Sequence, residues 1–400
     1  MLVVQKFGGS SVANAERLDY VAGIITESYR AGNDMVVVVS AQGDTTDELI
    51  EKAMEVNPNA SKREMDMLLT AGEQMSASLL AMAIEKTGCP VVSLASWQIQ
   101  IHTNSNHGNA RIKNIDTDRL TAELSKKNII IVTGFQGINR FDDITTLGRG
   151  GSDTSAVALA AALKADKCQI FTDVDGVYTA DPRIVKSAKK LNEITYDEML
   201  ELATLGAKVL HNRSVEMAKK YNVELEVLSS MKRCDGTIVR EVTRMEKMLI
   251  RGVAKDDDVA RVSIVGLKDE PGVAFKIFSV LGQKKINVDI ILQSIGRDGT
   301  KDITFTIDSA QLEATKECLQ HMVDAAMCKE ILCDSDVAKI SLVGAGMETH
   351  PGVASAMFEA LYTAGINIQM ISTSEIKISV LIDKKYSKEA MVAVHDAFIK

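Results

Sequence analysis

The sequence predicts an α/β protein in which a mostly parallel sheet covered by helices is followed by two βαββαβ units. Two observations support this fold class. Residues 1 to about 230 alternate short aliphatic and β-branched runs with longer helical segments, a pattern typical of parallel sheets that are buried on both faces. The remaining residues contain an internal repeat of four matched blocks, which indicates two copies of one structural unit.

Composition excludes several classes of protein. The chain has 400 residues, 46% hydrophobic but only 4% aromatic, so we expect more than one domain, each with an aliphatic core. A net charge of −8 argues against nucleic acid and anionic membrane partners. The sequence shows no basic leader with a cleavage site and no apolar run of the ~18 residues that span a bilayer. We therefore expect a cytoplasmic protein whose six cysteines are reduced.

The first part contains six predicted strands and five predicted helices. The strands are expected at Leu2–Phe7, Met35–Ser40, Val91–Ala95, Ile129–Phe135, Gln169–Asp173 and Glu224–Leu228. The helices are expected at Asn14–Ala31, Lys62–Lys86, Asp116–Lys127, Ser152–Lys164 and His211–Tyr221. Ligands of such sheets bind outside the carboxyl ends of the strands, so the loops that follow strands are the candidate site.

The first of these loops contains Lys6, Gly8 and Gly9, and it leads from a strand into a helix. Glycines let backbone N–H groups approach an anion, and the lysine adds a full positive charge. This combination predicts a phosphate-binding loop. The alternative is a tight strand-to-helix turn with a solvated lysine.

The second loop begins at Gly148 and opens a helix of small residues. Arg149 offers a planar fork that can hold a carboxylate through two hydrogen bonds, and Asp153 lies in the first helical turn. The glycines exceed what a helix cap needs, which favours a binding role. The alternative is a capping cluster, because Ser and Asp are common at helix starts.

Two further segments carry candidate residues. Thr172 and Asp173 end a strand, and Asp173 could orient a ribose, a metal-bound water or phosphate-bound magnesium. Tyr178 could flank a base; the alternative is a polar surface turn. Lys208 lies between apolar residues, where a lysine is as a rule a surface residue with a packed stem.

A glycine in the middle of the predicted helix 62–86 indicates that a neighbour needs room there. Gly72 costs about 1 kcal/mol relative to alanine at such a position. The adjacent Glu73 could bind a substrate ammonium; the alternative is a solvated glutamate. The sequence contains no P-loop and no protein-kinase catalytic loop, and its six histidines form no set with metal-ligand spacing.

The C-terminal part repeats one pattern twice. The matched blocks are Ala260–Gly266 with Ala338–Gly344, Pro271–Ala274 with Pro351–Ala354, Ile286–Val288 with Ile366–Ile368, and Asp302–Asp308 with Lys377–Asp383. With the helical stretches between them, each copy predicts a βαββαβ unit. The charged stretch near 243–255 is suited to a linker.

Taken together, these segments resemble the aspartate kinases of the amino-acid kinase superfamily, over essentially the whole chain. The stretch from Lys6 to Val12 resembles the family's opening signature. The segments 148–153, 172–183 and 206–211 resemble its later signatures, in the expected order. Small departures are Asn212, where many relatives have proline, and Met231, where phenylalanine is common. The resemblance implies an amino-acid kinase domain at 1–245 and ACT, ferredoxin-like domains at 246–332 and 333–400.

The resemblance implies ATP-dependent phosphorylation of the side-chain carboxylate of L-aspartate, with Mg²⁺ held mainly by ATP, and feedback control by lysine, threonine or both. The residues implied in phosphoryl transfer are Lys6, Gly8, Gly9, Asp153 and Lys208. Those implied in ATP binding are Lys6, Thr172, Asp173, Tyr178, Asp181, Arg183 and Lys208. Those implied in aspartate binding are Ser40, Thr46, Glu73, Arg149, Gly150, Gly151 and Ser152.

For the ACT pair the resemblance implies an amino-acid effector pocket and a homo-oligomer formed through these domains. The pocket residues would be Asp269, Gly272, Val273, Ala274, Asn287, Val288, Asp289, Gln293, Asn367 and Ile368. An internal start at Met245 would give a separate regulatory chain. The alternatives are a ligand-free dimerisation module for this part, and for the whole chain a glutamate or acetylglutamate kinase, or a non-catalytic amino-acid sensor.

Overall fold

The chain forms two compact units. The computed structural model describes residues 1–206, 209–241, 250–294, 299–324, 327–345, 347 and 350–399. The first unit consists of Met1–Tyr178, Lys190–Thr204 and Lys208–Glu246, and the second of Thr179–Lys189, Leu205–Ala207 and Lys247–Lys400. Of the residues singled out in the sequence, Lys208 and Met245 lie outside the described residues.

The first unit is built on a large sheet and a small one. Its strands are β1 (Leu2–Phe7), β2 (Asp34–Val39), β3 (Val91–Leu94), β4 (Ile101–Thr103), β5 (Ile112–Ile115), β6 (Ile129–Thr133), β7 (Gln136–Ile138), β8 (Ile144–Thr146), β9 (Lys167–Thr172), β10 (Glu193–Thr195), β11 (Leu225–Ser229) and β12 (Thr237–Arg240). The large sheet has the order β10-β12-β11-β9-β1-β2-β6-β3, and only the pair β11–β12 is antiparallel. The predicted mostly parallel sheet is thus confirmed.

Helices cover the large sheet on both faces. They are α1 (Ala15–Arg30), α2 (Thr45–Val56), α3 (Lys62–Glu85), α4 (Asp118–Ser125), α5 (Gly151–Leu163), α6 (Tyr196–Thr204) and α7 (Asn212–Tyr221). Side-chain caps begin α1 at Asn14 and α3 at Ser61. All but the last three residues of α5 are buried, which explains its lack of a polar face. All five predicted helices are present, whereas α2 and α6 were not predicted.

Besides these two helices, the small sheet and the apolar character of α3 are features of the first unit that the sequence did not predict. The small sheet, in the order β5-β4-β7-β8, was missed because its strands have only three or four residues and mixed polarity. Helix α3 is long and apolar enough to cross a membrane by length and composition, although half of its most apolar stretch is buried. Leu80 and Ile84 of this helix lie in the core, which is the packing of an interior helix.

The second unit contains both sequence repeats. Its strands are β13 (Gly252–Asp256), β14 (Val259–Lys268), β15 (Val288–Gln293), β16 (Thr300–Asp308), β17 (Glu330–Asp334), β18 (Val337–Val343), β19 (Met370–Thr373) and β20 (Lys377–Asp383). Its helices are α8 (Val273–Gln283), α9 (Leu312–Asp324), α10 (Val353–Thr363) and α11 (Ser387–Phe398). The strands form two sheets, β15-β16-β14-β17 and β13-β18-β20-β19.

Strand β13 departs from the predicted boundaries of the repeats. A division at 246 and 333 assigns this strand to the first repeat, but it pairs antiparallel with β18 of the second. The second repeat therefore receives its edge strand from upstream of the first. Sequence order could not show this, because the repeat alignment begins at β14 and leaves β13 unmatched.

A segment predicted for the first domain is also built into the second unit. Residues 179–189 contribute Ala180 and Val185 to the core of the second repeat. The Thr179 hydroxyl lies 2.9 Å from Nε2 of the fully buried His395, and its carbonyl accepts from Val253 N–H at 2.7 Å. This region of the chain, which includes Asp181 and Arg183, is therefore held by α11 and β13.

The two glycines inside α1 and α3 give a matched test of the packing. A Cβ added at Gly72 would lie 2.7 Å from Cβ of Ala41, whereas one added at Gly23 would meet nothing within 4 Å. We expect Gly23→Ala to raise the free energy of unfolding by up to about 1 kcal/mol, and Gly72→Ala to lower it by about 1–3 kcal/mol through overpacking. Urea denaturation of the two variants measures both; equal shifts of the same sign would contradict this account.

Candidate active site

The carboxyl ends of the central strands meet at one edge of the large sheet. Ser40 N–H donates to the Phe7 carbonyl at 3.1 Å, Gly134 N–H to Val39 at 2.9 Å, and Ser230 N–H to Thr172 at 2.8 Å. The loops that follow β1, β2, β6, β9 and β11 are thereby placed side by side. This edge is where parallel α/β sheets bind ligands, and it carries most of the predicted site residues.

Lys6 and Asp153 form a largely buried ion pair at this edge. Lys6 Nζ lies 2.7 Å from Oδ1 of Asp153, and the two side chains are only 12% and 11% exposed. Lys6 comes from β1 and Asp153 from the first turn of α5. The carboxylate holds the ammonium in place while leaving N–H donors for a further acceptor.

The glycines of the first loop serve two different purposes. A Cβ at Gly9 would lie 2.6 Å from the carbonyl oxygen of Ala41, so any side chain there would clash with the loop after β2. A Cβ at Gly8 would meet only Lys6 Nζ, at 3.5 Å. Gly9 is therefore required by packing, and Gly8 leaves space next to the lysine ammonium.

Glu73 is a buried acid with an incomplete set of partners. It is 3% exposed, and Oε1 accepts the Ala41 N–H at 3.1 Å, whereas Oε2 has no hydrogen-bond partner among the described residues. Burial raises its pKa to about 7, although the Ala41 hydrogen bond acts in the opposite direction. An unsatisfied buried carboxyl group at this edge can receive a cationic ligand group.

Of the predicted aspartate-binding residues, the structure brings Ser40 and Ser152 into contact. Ser40 Oγ donates to Ser152 Oγ at 2.9 Å, next to Ala41 and therefore next to Glu73. Arg149 is exposed and forms no ion pair within the described part of the chain. Thr46 lies in the first turn of α2, half-buried, without a hydrogen bond to the other members in the described structure.

The loop that carries Arg149 is shaped by its glycines. Gly148 and Gly150 have φ angles of +79° and +64°, the left-handed region in which glycine is favoured. A Cβ at Gly150 would also lie 2.2 Å from the His211 ring, and one at Gly151 would lie 2.8 Å from Phe135. The conformation and the close packing of the loop thus both demand glycine.

The loop that follows β9, from Asp173 to Tyr178, places its predicted residues less tightly. Thr172 Oγ1 donates to Asp173 at 3.0 Å, and the Tyr178 hydroxyl donates to Asp175 at 2.9 Å; Asp173 is exposed at the strand end. Asp181 and Arg183 belong to the second unit, and their ion pair of 2.8 Å lowers the pKa of Asp181.

Sequence reasoning missed a buried hydroxyl that joins two of the loops. Ser11 Oγ donates to Ser230 Oγ at 2.7 Å, and Ser230 Oγ donates to the Thr172 carbonyl at 3.0 Å. Arg17 donates to the Ser230 carbonyl at 2.6 Å. Ser230 directly follows β11, so the strand-end rule that found the other loops also applies to it.

The predicted effector residues are only partly brought together. Gly272 caps α8 with φ +90°, followed by Val273 and Ala274, while Asp269 pairs with Lys301 at 2.7 Å. The Asp289 carboxylate is occupied by the buried Lys339 of the second repeat, 2.5 Å away. Asn287, Val288, Asn367 and Ile368 lie at the helix-to-strand turns of the two repeats. Gln293 instead lines a cleft of about 410 Å³ together with Arg261, Ser263 and Gln369.

Protein side chains alone form no metal site in the part of the chain that the structure describes. No group of three or more His, Cys, Asp or Glu in that part of the chain stands close enough to hold an ion.

Comparison with known families defines the class of protein first. The model of the amino acid kinase family matches residues 1–229, and the ACT domain model matches residues 262–322 and 340–398. The first range covers every strand of the large sheet except β12, and the other two cover most of the sequence repeats. The class is therefore an amino acid kinase domain with a pair of ACT domains.

Individual relatives narrow this class. The chain is 52% identical to an aspartokinase of Geobacillus stearothermophilus over 99% of this chain and 97% of the relative. Its structure matches E. coli aspartokinase III in complex with aspartate and ADP (TM-score 0.86, 25% identity) and the lysine and aspartate complex of that enzyme (TM-score 0.77, 25% identity), over the full length of each chain. The chain thus belongs to the aspartokinases, within the amino acid kinase family.

The raised pKa of Glu73 predicts a pH-dependent stability. Between pH 4.5 and about 7 the folded state keeps a proton that the unfolded state releases, so the free energy of unfolding falls as pH rises through this window. Relative to Glu73→Gln, which is neutral throughout, the wild type should lose up to about 3 kcal/mol between about pH 5 and pH 8. Urea denaturation at both pH values tests this, and parallel behaviour of the two proteins would contradict it.

Proposed function

We propose that the protein transfers the γ-phosphoryl group of ATP to the side-chain carboxylate of L-aspartate, giving ADP and 4-phospho-L-aspartate. The observation that carries this proposal is the placement of the Lys6–Asp153 pair and the buried Glu73 at one sheet edge. The ammonium of Lys6 can bind an anion, and the carboxyl group of Glu73 can receive an ammonium group. The similarity to an E. coli enzyme bound to aspartate and ADP supports the same assignment.

The reaction needs no general base, because the attacking carboxylate is ionised at neutral pH. What it needs is alignment with the γ-phosphate and compensation of the repulsion between two anions. Lys6 supplies fixed positive charge from the end of β1, and Asp153 holds it in place. The free space at Gly8 lets the phosphoryl group approach this ammonium.

Aspartate would be held at both of its backbone-derived groups. Its ammonium would meet Glu73, whose neutral form then gives up a proton because a nearby cation favours the carboxylate. Its α-carboxylate would be held by Arg149, which has no competing ion pair within the described residues. Ser40 and Ser152 would border the substrate between these two groups.

The nucleotide would occupy the loop after β9, with Thr172, Asp173 and Tyr178 as its neighbours. Mg²⁺ commonly binds one or two protein carboxylates plus phosphates and waters. The exposed carboxylate of Asp173 at the strand end fits such a role, which requires no protein cluster of ligands. When bound, the ion would offset charge on the transferring phosphates.

The ACT pair would provide feedback control by lysine, threonine or both, and would join copies of this chain into a homo-oligomer in the cytoplasm. A lysine complex is known for the E. coli relative. Edge strand β15 exposes Ile291 and Leu292, an apolar edge suited to pairing. Effector binding and the active state would then affect each other reciprocally.

The direct test is ADP release with ATP and a panel of aspartate, glutamate and N-acetylglutamate, with and without lysine and threonine. Of the three acids, we expect only aspartate to give turnover, and we expect lysine, threonine or both to reduce this turnover. Turnover with another acid only would identify a different amino acid kinase, and no ADP with any acid would indicate a sensor.

We expect Lys6→Ala to lower kcat by at least about 100-fold, because it removes fixed charge from the transferring group. Lys86→Ala is the control, since this lysine is 68% exposed and pairs only with Asp19 in the described structure. Steady-state kinetics measure both variants. Near-normal turnover of Lys6→Ala in a folded protein would remove Lys6 from the mechanism.

Arg149→Ala should raise the KM for aspartate by about 10- to 100-fold with a smaller effect on the KM for ATP, because the lost contact is a charge-assisted pair to the substrate. Arg140→Ala, which removes another exposed arginine of the first unit, serves as the control. An unchanged KM for aspartate would exclude Arg149 from substrate binding.

A further inference from the structure

Arg149 stands on a loop whose backbone conformation depends on glycines. Two of its neighbours, Gly148 and Gly150, are glycines in the left-handed region, and glycine has more backbone freedom to lose than any other residue. Substrate binding through one guanidinium depends on its position within about an ångström. Something outside the loop must therefore hold it.

The side chain of Arg213, in the first turn of α7, makes three contacts with this region. Its Nη1 donates to the Leu147 carbonyl at 2.5 Å and to Asn109 Oδ1 at 3.1 Å, and its Nη2 donates to the Ala110 carbonyl at 2.9 Å. One planar guanidinium thus ties the chain two residues before Arg149 to the loop 107–110. All three acceptors are neutral oxygens, and the Arg213 guanidinium forms no salt bridge with an acid in the described structure.

The same two segments are also held by Asp66 of α3. This carboxylate, only 1% exposed, accepts from Gly108 N–H at 3.0 Å, from Thr146 Oγ1 at 2.6 Å and from the His107 ring at 2.9 Å. Asp66 lies two helical turns before Glu73 on α3. The helix that carries the ammonium receptor therefore also supports the arginine loop.

Helix α7 completes the support of the loop. A Cβ at Gly150 would overlap the His211 ring, so the ring packs directly on the loop backbone, and His211 caps the helix that bears Arg213. The residues on both sides of Arg149 are thus held by α7, and Thr146, which precedes them, is held by Asp66.

We propose that Arg213 is a positioning residue that sets the affinity for the α-carboxylate of the amino acid by fixing the loop of Arg149. The inference rests on the proposed function, because it takes aspartate as the substrate. Arg213 itself does not touch the substrate, and its contribution passes through the Leu147 and Ala110 carbonyls.

The test compares Arg213→Met and Arg213→Lys with Arg240→Met. Arg240 is a matched control because it is a mostly buried arginine of the same unit that pairs with Glu193 and Glu224. We expect Arg213→Met to raise the KM for aspartate by about tenfold, with the KM for ATP within about twofold of wild type. Arg213→Lys should lie between the two, because lysine lacks the planar fork. Arg240→Met should leave both constants unchanged.

A substrate fragment separates positioning from general loosening of the site. 3-Aminopropanoate has the ammonium and the reacting carboxylate of aspartate but lacks the α-carboxylate, so its Ki as a competitive inhibitor should be unaffected by Arg213→Met. An equal rise in this Ki, a parallel rise in the KM for ATP, or the same effect from Arg240→Met would overturn the proposal.

Two controls keep the result interpretable. If Arg213→Met does not fold, as judged by thermal unfolding, Asn109→Ala replaces it: this exposed residue loses only one contact to Arg213. A rise of about two- to threefold in the KM for aspartate is then expected, and no rise overturns the proposal. A wild type that does not phosphorylate aspartate refutes the proposed function instead, so the two failures are distinguishable.

Discussion

Strand β1 is hydrogen-bonded on both sides, to β2 and to β9, in parallel register. This pairing sets the geometry of the whole site. Because successive side chains of a strand point to opposite faces, Lys6 reaches Asp153 of α5 while Gln5 points the other way. On that face the Gln5 side chain donates to Gln169 of β9, and Gln169 in turn donates to Glu226 of β11. A slip by one residue would exchange these two faces and leave the lysine without its partner.

Lys6 and Glu73 differ in how the protein compensates their charges. Lys6 has a carboxylate at 2.7 Å and is fixed before any ligand arrives. Glu73 has one backbone donor and one oxygen without a hydrogen-bond partner among the described residues, and burial raises its pKa to about 7, so that it is about half protonated at neutral pH. The first arrangement costs little reorganisation during the reaction. The second couples occupancy of the site to loss of a proton.

The sequence was sufficient for features that depend on nearby residues. Six strands of the large sheet, the glycine loops and the crowding at Gly72 could be predicted because periodicity and backbone demands are local. The contacts Ser11–Ser230 and Asp66–Thr146 join residues 219 and 80 positions apart, and only the folded chain reveals such pairs. Helix α2 was not predicted, and none of its residues is buried.

In the sequence, the first repeat is inserted between β13 and β18, two strands that pair with each other in the sheet of the second repeat. Asp256 of β13 pairs with Lys339 of β18, so the points where the intervening domain is attached lie roughly 5 Å apart. A domain whose ends are so close can be inserted or exchanged with little disturbance of its host. The arrangement allows the first repeat to change in sequence while the sheet of the second repeat keeps its strands. It also means that a separately translated C-terminal chain needs Gly252–Asp256 to complete that sheet.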